Sequence, residues 1–223
     1  AVQLHVAYSA TFRKGAGVVS GGPFNCAEAS VLNAIGRCLG RAPIPVDALV
    51  ALTNDWGKAG LIDATSNLSA SRVYLFSGAK DSVVPQSTSA DRQKYYENFL
   101  PAANITFRKD IEVEHAVVTD DYGAPCLTKA MPFINNCNFD LAGAILQHLY
   151  GTLNPRSKAM AEASLIEFDQ TPFVNGQGMA ASGWAYVPKA CTAGASCRVH
   201  VALHGCKQNA ADVGQEFVRN GGY

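Results

Sequence analysis

Strand-forming and helix-forming stretches alternate along this chain as far as residue 155, and such an alternation leads to a largely parallel α/β sheet. Gly15-Ala-Gly-Val-Val-Ser20 is a short apolar run ended by Gly21-Gly22-Pro23, as in a buried strand. Ser71-Arg-Val-Tyr-Leu-Phe-Ser77 is a clearer one, rich in β-formers and closed by Gly78. Asn104-Ile-Thr-Phe-Arg108 is a third. Helices are expected over residues 1–13, 27–38 and 46–53, the last opening after Pro45. Another is expected from Ser89, as its cap, to Leu100. Phe139 to Tyr150 is strongly amphipathic and ends at Gly151. Beyond residue 155, Ser164–Asp169 and Gly183–Pro188 read as a short antiparallel pair at a sheet edge. Cys197-Arg-Val-His-Val-Ala-Leu203 reads as a central-type strand. The turn His204-Gly205-Cys206 then leads to a helix from Asn209 to Arg219.

The chain has 223 residues, 48% of them hydrophobic, which suits one domain or one domain cut short at an end. Its 18 basic residues balance 18 acidic ones and form no basic block, so nucleic acid is not an expected partner. No apolar run approaches the roughly 20 residues that span a bilayer. The opening residues show no charged segment followed by an apolar one, so no signal peptide is read there. Both ends read as cuts within a fold.

Seven cysteines are many for a cytosolic chain of this length. Six fall into close pairs: Cys26 with Cys38, Cys126 with Cys137, and Cys191 with Cys197. Bridges across such short loops would staple surface segments, each contributing about 2–4 kcal/mol. Disulfides persist in oxidising compartments, so an extracellular, secreted protein is expected. Free buried thiols and metal binding are the other readings, although no Cys-x-x-Cys occurs. Cys206 is left over, which implies a partner outside these residues.

Three stretches could carry chemistry. Val73 to Pro85 runs from a strand through Gly78 into a loop presenting Asp81, the place where an α/β-hydrolase holds the acid that orients a histidine. An ordinary turn aspartate is the plainer reading. Ile105-Thr-Phe then leads into a polar loop carrying His115, ahead of the amphipathic helix at 139–150. Acid before histidine is the order such hydrolases require, and 34 residues leave room for one helix and one strand. A surface or hydrogen-bonded histidine is the alternative. Third, Val199 to Cys206 runs from a strand into His-Gly, as in the loop that supplies an oxyanion-hole amide, here that of Cys206. A metal site at His200, His204 and Cys206 is the rival, but the β-branched residues around them point to a strand. His5 and His148 sit in helical patterns and read as packing or surface residues.

No Gly-x-Ser-x-Gly occurs. The nearest imitation, Val18-Val19-Ser20-Gly21-Gly22, lacks the first glycine and meets Pro23 instead of a helix, so Ser20 reads as the end of a core strand. The oxyanion-type loop also follows the acid and the histidine instead of preceding them. Either the fold is circularly permuted, with the nucleophile just before residue 1, or a second hydrolase domain starts near residue 160. The opening helix favours permutation.

These residues bring out a resemblance. Gln3-Leu-His-Val-Ala-Tyr-Ser9, Val19 to Cys26, Ile134 to Asp140, Leu149 to Asn154 and Val199 to Cys206 together resemble the extracellular poly(3-hydroxybutyrate) depolymerases, over nearly the whole chain. The resemblance implies a circularly permuted α/β-hydrolase fold, a mostly parallel sheet flanked by helices, incomplete at both ends, with residues 1–223 as one partial catalytic domain. It implies Asp81 as triad acid, His115 as base and Cys206 as oxyanion donor. The nucleophilic serine would lie a few residues upstream of Ala1. It pairs the six cysteines as above and gives Cys206 a partner further along. The implied activity is hydrolysis of polyester bonds through an acyl-enzyme, with no metal or organic cofactor. The expected partner is a polyester surface; neither nucleic acid nor membrane is expected, and the protein would be a monomer. A related carboxylesterase on small or cell-wall esters, and a non-catalytic hydrolase-like binding protein, are the alternatives.

Overall fold

The computed structural model describes residues 1–157, 161, 164–176, 178–192 and 194–223. In chain order its main elements are α1 (Val2–Ala7), β1 (Gly15–Val19), α2 (Val31–Ile35), α3 (Val46–Lys58), β2 (Arg72–Phe76), α4 (Gln86–Glu97), β3 (Ile105–Arg108), β4 (Val117–Thr119), β5 (Ala124–Pro125), β6 (Ile134–Asn136), α5 (Leu141–Tyr150), β7 (Leu165–Asp169), β8 (Ser182–Tyr186), α6 (Lys189–Thr192), α7 (Ala210–Val213) and α8 (Glu216–Asn220). They fall into two units, Ala1–Leu153 with Leu203–Tyr223, and Asn154–Ala202. Position 160, where a second domain was the alternative, lies outside the described residues.

In the first unit β1, β2 and β3 form a parallel sheet in that order. Side chains alternate along a strand, so β2 feeds both faces. Val73 and Leu75 pack on one side with Val6, Leu49, Tyr95 and Tyr96 from α1, α3 and α4. Tyr74 and Phe76 pack on the other with Leu141, Ile145 and Leu149 of α5. Helices thus cover both faces, the normal state of a parallel sheet. Beside it, β4, β6 and β5 form a second parallel sheet, with β6 in the middle.

Local structure departs from expectation in several places, and the helix expected over 46–53 runs on to Lys58. The opening helix ends at Ala7, because Asp63 donates its N–H to the Ala7 carbonyl (3.0 Å) and its carboxylate takes the Ala10 N–H (2.9 Å). Residues 27–38 form only α2, capped by Ser30, and a 3₁₀ turn; Gly36 parts the two. Helix α4 starts at Gln86, not Ser89, because Pro85 can stand at a helix edge without losing an intrahelical hydrogen bond. The 209–219 helix is split at Gly214 into α7 and α8, with Asn209 as the cap of α7.

In the second unit β7 and β8 pair antiparallel, as expected, from Leu165↔Tyr186 to Asp169↔Ser182, but among the described residues they are a two-stranded sheet of their own and not the edge of a larger one. Residues 197–203, expected as a central strand, form none: Val199, Val201 and Leu203 are 82%, 48% and 50% exposed. A strand central to a sheet is covered on both faces, and side chains left half to four-fifths exposed are not in that position. Among the described residues no helix is long and apolar enough to cross a membrane.

Candidate active site

Ligand sites on open parallel sheets gather at the carboxyl ends of the strands. The loops that leave β2 and β3 at that edge are joined by backbone hydrogen bonds. Ser77 N–H donates to Arg108 O (3.1 Å), Ala79 N–H to Ile111 O (2.8 Å) and Lys80 N–H to Val113 O (3.2 Å). This ladder brings Asp81 and His115 together. His115 Nδ1 lies 2.9 Å from Asp81 Oδ2 and 3.1 Å from Oδ1. The acid's side chain is 1% exposed and that of the histidine 33%. A carboxylate can only accept, so Nδ1 carries a proton, and in a neutral imidazole the lone pair then stands on Nε2.

Asp81 is held from several directions. Oδ1 accepts the amides of Val83 (2.9 Å) and Val84 (2.8 Å), and Oδ2 accepts the Ser20 hydroxyl (2.7 Å). Burial alone pushes the Asp81 carboxyl up, but hydrogen bonds from His115, Val84 and Ser20 outweigh it and hold the group below the ordinary aspartate range. Glu114 spans the two loops: its Oε2 accepts the amides of His115 (2.9 Å) and Ser82 (3.2 Å). Slight burial raises the Glu114 carboxyl, while those amides and the charge of Lys129 lower it, with a net fall. Phe133 stands edge-on to the His115 ring at 6.5 Å between centroids.

Ser20 ends β1 with φ of 51° and bonds the acid. A triad nucleophile bonds the histidine instead, through Nε2, so this serine does not occupy the nucleophile's position. The fully buried Arg92 donates from Nη1 to the carbonyls of Ser20 and Gly21, both at 2.8 Å. Burial pulls its guanidinium down to about 10, still charged at neutral pH. The roles of Ser20 and Arg92 were not foreseen. The only signal for Arg92 is that Thr88, Ser89, Arg92, Tyr95 and Tyr96 share the inner face of α4, a polar helix whose buried stripe is not marked by apolar residues.

Cys206 has a free, exposed thiol. Its turn is tethered through Gln208, whose Oε1 accepts the Gly205 amide (2.9 Å) and whose Nε2 donates to the carbonyls of Pro132 (2.9 Å) and Phe133 (3.1 Å). The Cys206 turn and the His115 ring therefore share Phe133 as a neighbour. His204 stands edge-on to Phe217. Among the described residues no group of three or more His, Cys, Asp or Glu side chains gathers as a metal site would. His5 is buried with Nδ1 3.0 Å from the Tyr96 hydroxyl, and burial pulls it down to about 4. His148 contacts the Thr106 hydroxyl and the Asn104 carbonyl. Disulfides join Cys26–Cys38, Cys126–Cys137 and Cys191–Cys197. The second lies behind the histidine, since the Glu114 amide donates to Cys126 O (3.2 Å).

No family model matches the chain. Over its whole length it is 60% identical to a poly(3-hydroxybutyrate) depolymerase of Delftia acidovorans and 34% identical to a polyhydroxybutyrate depolymerase of Talaromyces funiculosus. It spans 46% of the first protein and 66% of the second. Among solved structures, the crystal structure of PHB depolymerase from Penicillium funiculosum matches with a TM-score of 0.91 at 33% identity, covering 99% of this chain and 70% of that one. A serine-to-alanine form of a PHB depolymerase, complexed with a 3-hydroxybutyrate trimer, matches with the same TM-score at 34% identity and the same coverage.

Proposed function

The chain belongs to the poly(3-hydroxybutyrate) depolymerase family, and from that premise we propose that it is the larger part of an extracellular serine esterase that hydrolyses polyhydroxyalkanoate. Residues 1–223 belong in this reading to a single, circularly permuted α/β-hydrolase catalytic domain. The observation that carries it is the 2.9 Å contact between His115 Nδ1 and the buried Asp81 Oδ2 at the carboxyl edge of a parallel sheet.

In the proposed reaction a serine from the segment just ahead of Ala1 attacks the ester carbonyl. His115 Nε2 takes its proton and returns it to the leaving alcohol. Asp81 fixes the tautomer and stabilises the imidazolium as it forms. The Cys206 amide is one donor to the developing oxyanion. Water then releases the acyl group by the same steps. The substrate class comes from the relatives, one of which holds a 3-hydroxybutyrate trimer. The disulfides support secretion, because they persist outside the reducing cytosol. A monomer acting alone at the polymer surface completes the reading.

The test is to express the complete gene product and compare release of hydroxybutyrate from solid polymer film with turnover of a short nitrophenyl ester. Film hydrolysis that is lost in His115→Ala is the expected result. Turnover of the short ester alone would transfer the protein to a related esterase class. Hydrolysis of neither, or no Gly-x-Ser-x-Gly ahead of Ala1, would leave the non-catalytic reading.

A further inference from the structure

We propose that Ser20 is a positioning residue for the reaction: its hydroxyl fixes the plane of the Asp81 carboxylate so that Oδ2 meets His115. This rests on the reading of Asp81 and His115 as triad acid and base.

The backbone is the first argument. The Ser20 amide still donates to Phe76 O (2.9 Å), so the residue closes the β1–β2 ladder. Its φ of 51° then lies in the left-handed region, which a non-glycine residue occupies at a cost. Glycine would adopt this angle freely, and glycines follow at 21 and 22. What serine adds over glycine is the hydroxyl, and in the structure it goes to Asp81 at 2.7 Å.

The second argument is that the conformation is held from behind. Arg92 is buried within α4, and one of its nitrogens reaches the carbonyls of both Ser20 and Gly21. A strained residue persists where its surroundings over-determine it, and such residues gather at functional sites.

The third is the geometry around the carboxylate. The amides of Val83 and Val84 hold Oδ1 alone. A turn of the carboxylate about its bond to Cβ shifts both oxygens together, so a donor on Oδ2 adds a second restraint on the same angle, at the oxygen nearer the imidazole. The Ser20 hydroxyl approaches Oδ2 from β1, while His115 approaches it from the loop after β3. Donors from three segments then define one orientation. The other charged groups nearby are Arg92 behind Ser20, Glu114 on the amides of Ser82 and His115, and Lys129, whose Nζ donates to the Ser82 hydroxyl (2.6 Å). Of the side chains around Asp81, Ser20 and His115 donate to the carboxylate itself.

The experiment separates hydroxyl from strain in the complete protein. Ser20→Gly removes the hydroxyl and relieves φ. Ser20→Thr keeps the hydroxyl and strains φ further. Ser20→Ala removes the hydroxyl and keeps the strain. With a soluble nitrophenyl ester, kcat is expected to fall about fivefold in the Gly and Ala forms, the loss of one modest hydrogen bond, with KM unchanged. The Thr form should recover most of the rate despite a Tm below that of the Gly form. A rate that follows Tm across the three, or does not change, overturns the proposal. Asp81→Asn is measured alongside. If it retains full activity, the triad reading itself fails; if it is inactive while the Ser20 forms match the wild type, only the role of Ser20 fails.

Discussion

Gly78 and Val113 are packed so closely that a side-chain carbon on the glycine would fall 2.2 Å from the Val113 carbonyl oxygen. That contact lies between the two loops that carry Asp81 and His115. Substitution of Gly78 by alanine must therefore push the loops apart. The expected outcome is a loss of about 1–3 kcal/mol in stability, the usual range for overpacking. The loss of esterase activity should exceed what that destabilisation explains, because the 2.9 Å contact between acid and base widens with it. Urea unfolding and steady-state kinetics on the same preparation check both.

Asp81→Asn keeps the side-chain oxygen that accepts the Val83 and Val84 amides and replaces the one facing His115 and Ser20 with an amide. The imidazole then meets a donor and adopts the other tautomer, with its lone pair on the wrong nitrogen. A fall in kcat on the order of 10⁴-fold is expected, the size this change has in a Ser-His-Asp triad. The wild-type Asp81 is held below the ordinary aspartate range, so its contribution to stability is present at neutral pH and lost as pH falls through its folded value. The Asn form should show no such loss, which acid titration followed by circular dichroism would reveal.

How much of this was legible in the sequence depends on where the determining contacts lie. β2 could be read because both of its faces are buried, so β-formers run unbroken from Val73 to Phe76 before Gly78 ends them. Asp81 and His115 were singled out because each lies on a loop that leaves a strand, acid ahead of histidine as in the hydrolase fold, and the structure brings the two side chains into contact. Ser20 was placed correctly at a strand end, but its partner is 61 residues away and no local pattern announces it. Residues 197–203 were misread for the converse reason. Alternating β-branched residues describe a strand's preference, which context overrides, and Val199, Val201 and Leu203 stand exposed instead of packed in a sheet. Ser89 had the right chemistry for a cap, yet Pro85 opened the helix one turn earlier and left Ser89 buried inside it.

His5 makes stability depend on pH in a window separate from that of Asp81. The ring is buried against Tyr96 and titrates near 4, against 6.5 for a free imidazole. Its folded value is depressed, so between those limits the unfolded chain binds a proton that the folded chain refuses. Stability is then lost as pH falls from 6.5 towards 4, by about 2–3 kcal/mol at pH 4.5. His148, also lowered chiefly by burial, acts in the same direction. In His5→Asn this loss should shrink to what the remaining groups contribute. Urea midpoints at pH 7.5 and 4.5 for both proteins measure the difference; equal losses in the two would show that His5 is not its source.

The Cys126–Cys137 bridge joins the end of β5 to the end of β6, and the Cys126 carbonyl accepts both the Glu114 amide (3.2 Å) and the Asn135 side chain (3.0 Å). The backbone next to His115 is therefore hung on a cross-linked residue. Closing so short a loop restricts the unfolded chain by about 2–3 kcal/mol. The Cys126→Ser, Cys137→Ser double variant should lose about that much stability. It should also lose activity at temperatures where it remains folded, because Glu114 and the His115 backbone lose their anchor. Removal of the Cys191–Cys197 bridge, which lies in the other unit, should lower stability without that kinetic effect. Comparing kcat for the two double variants 20 °C or more below their melting points isolates the positional role of the first bridge. Equal kcat in both would reduce it to a simple staple.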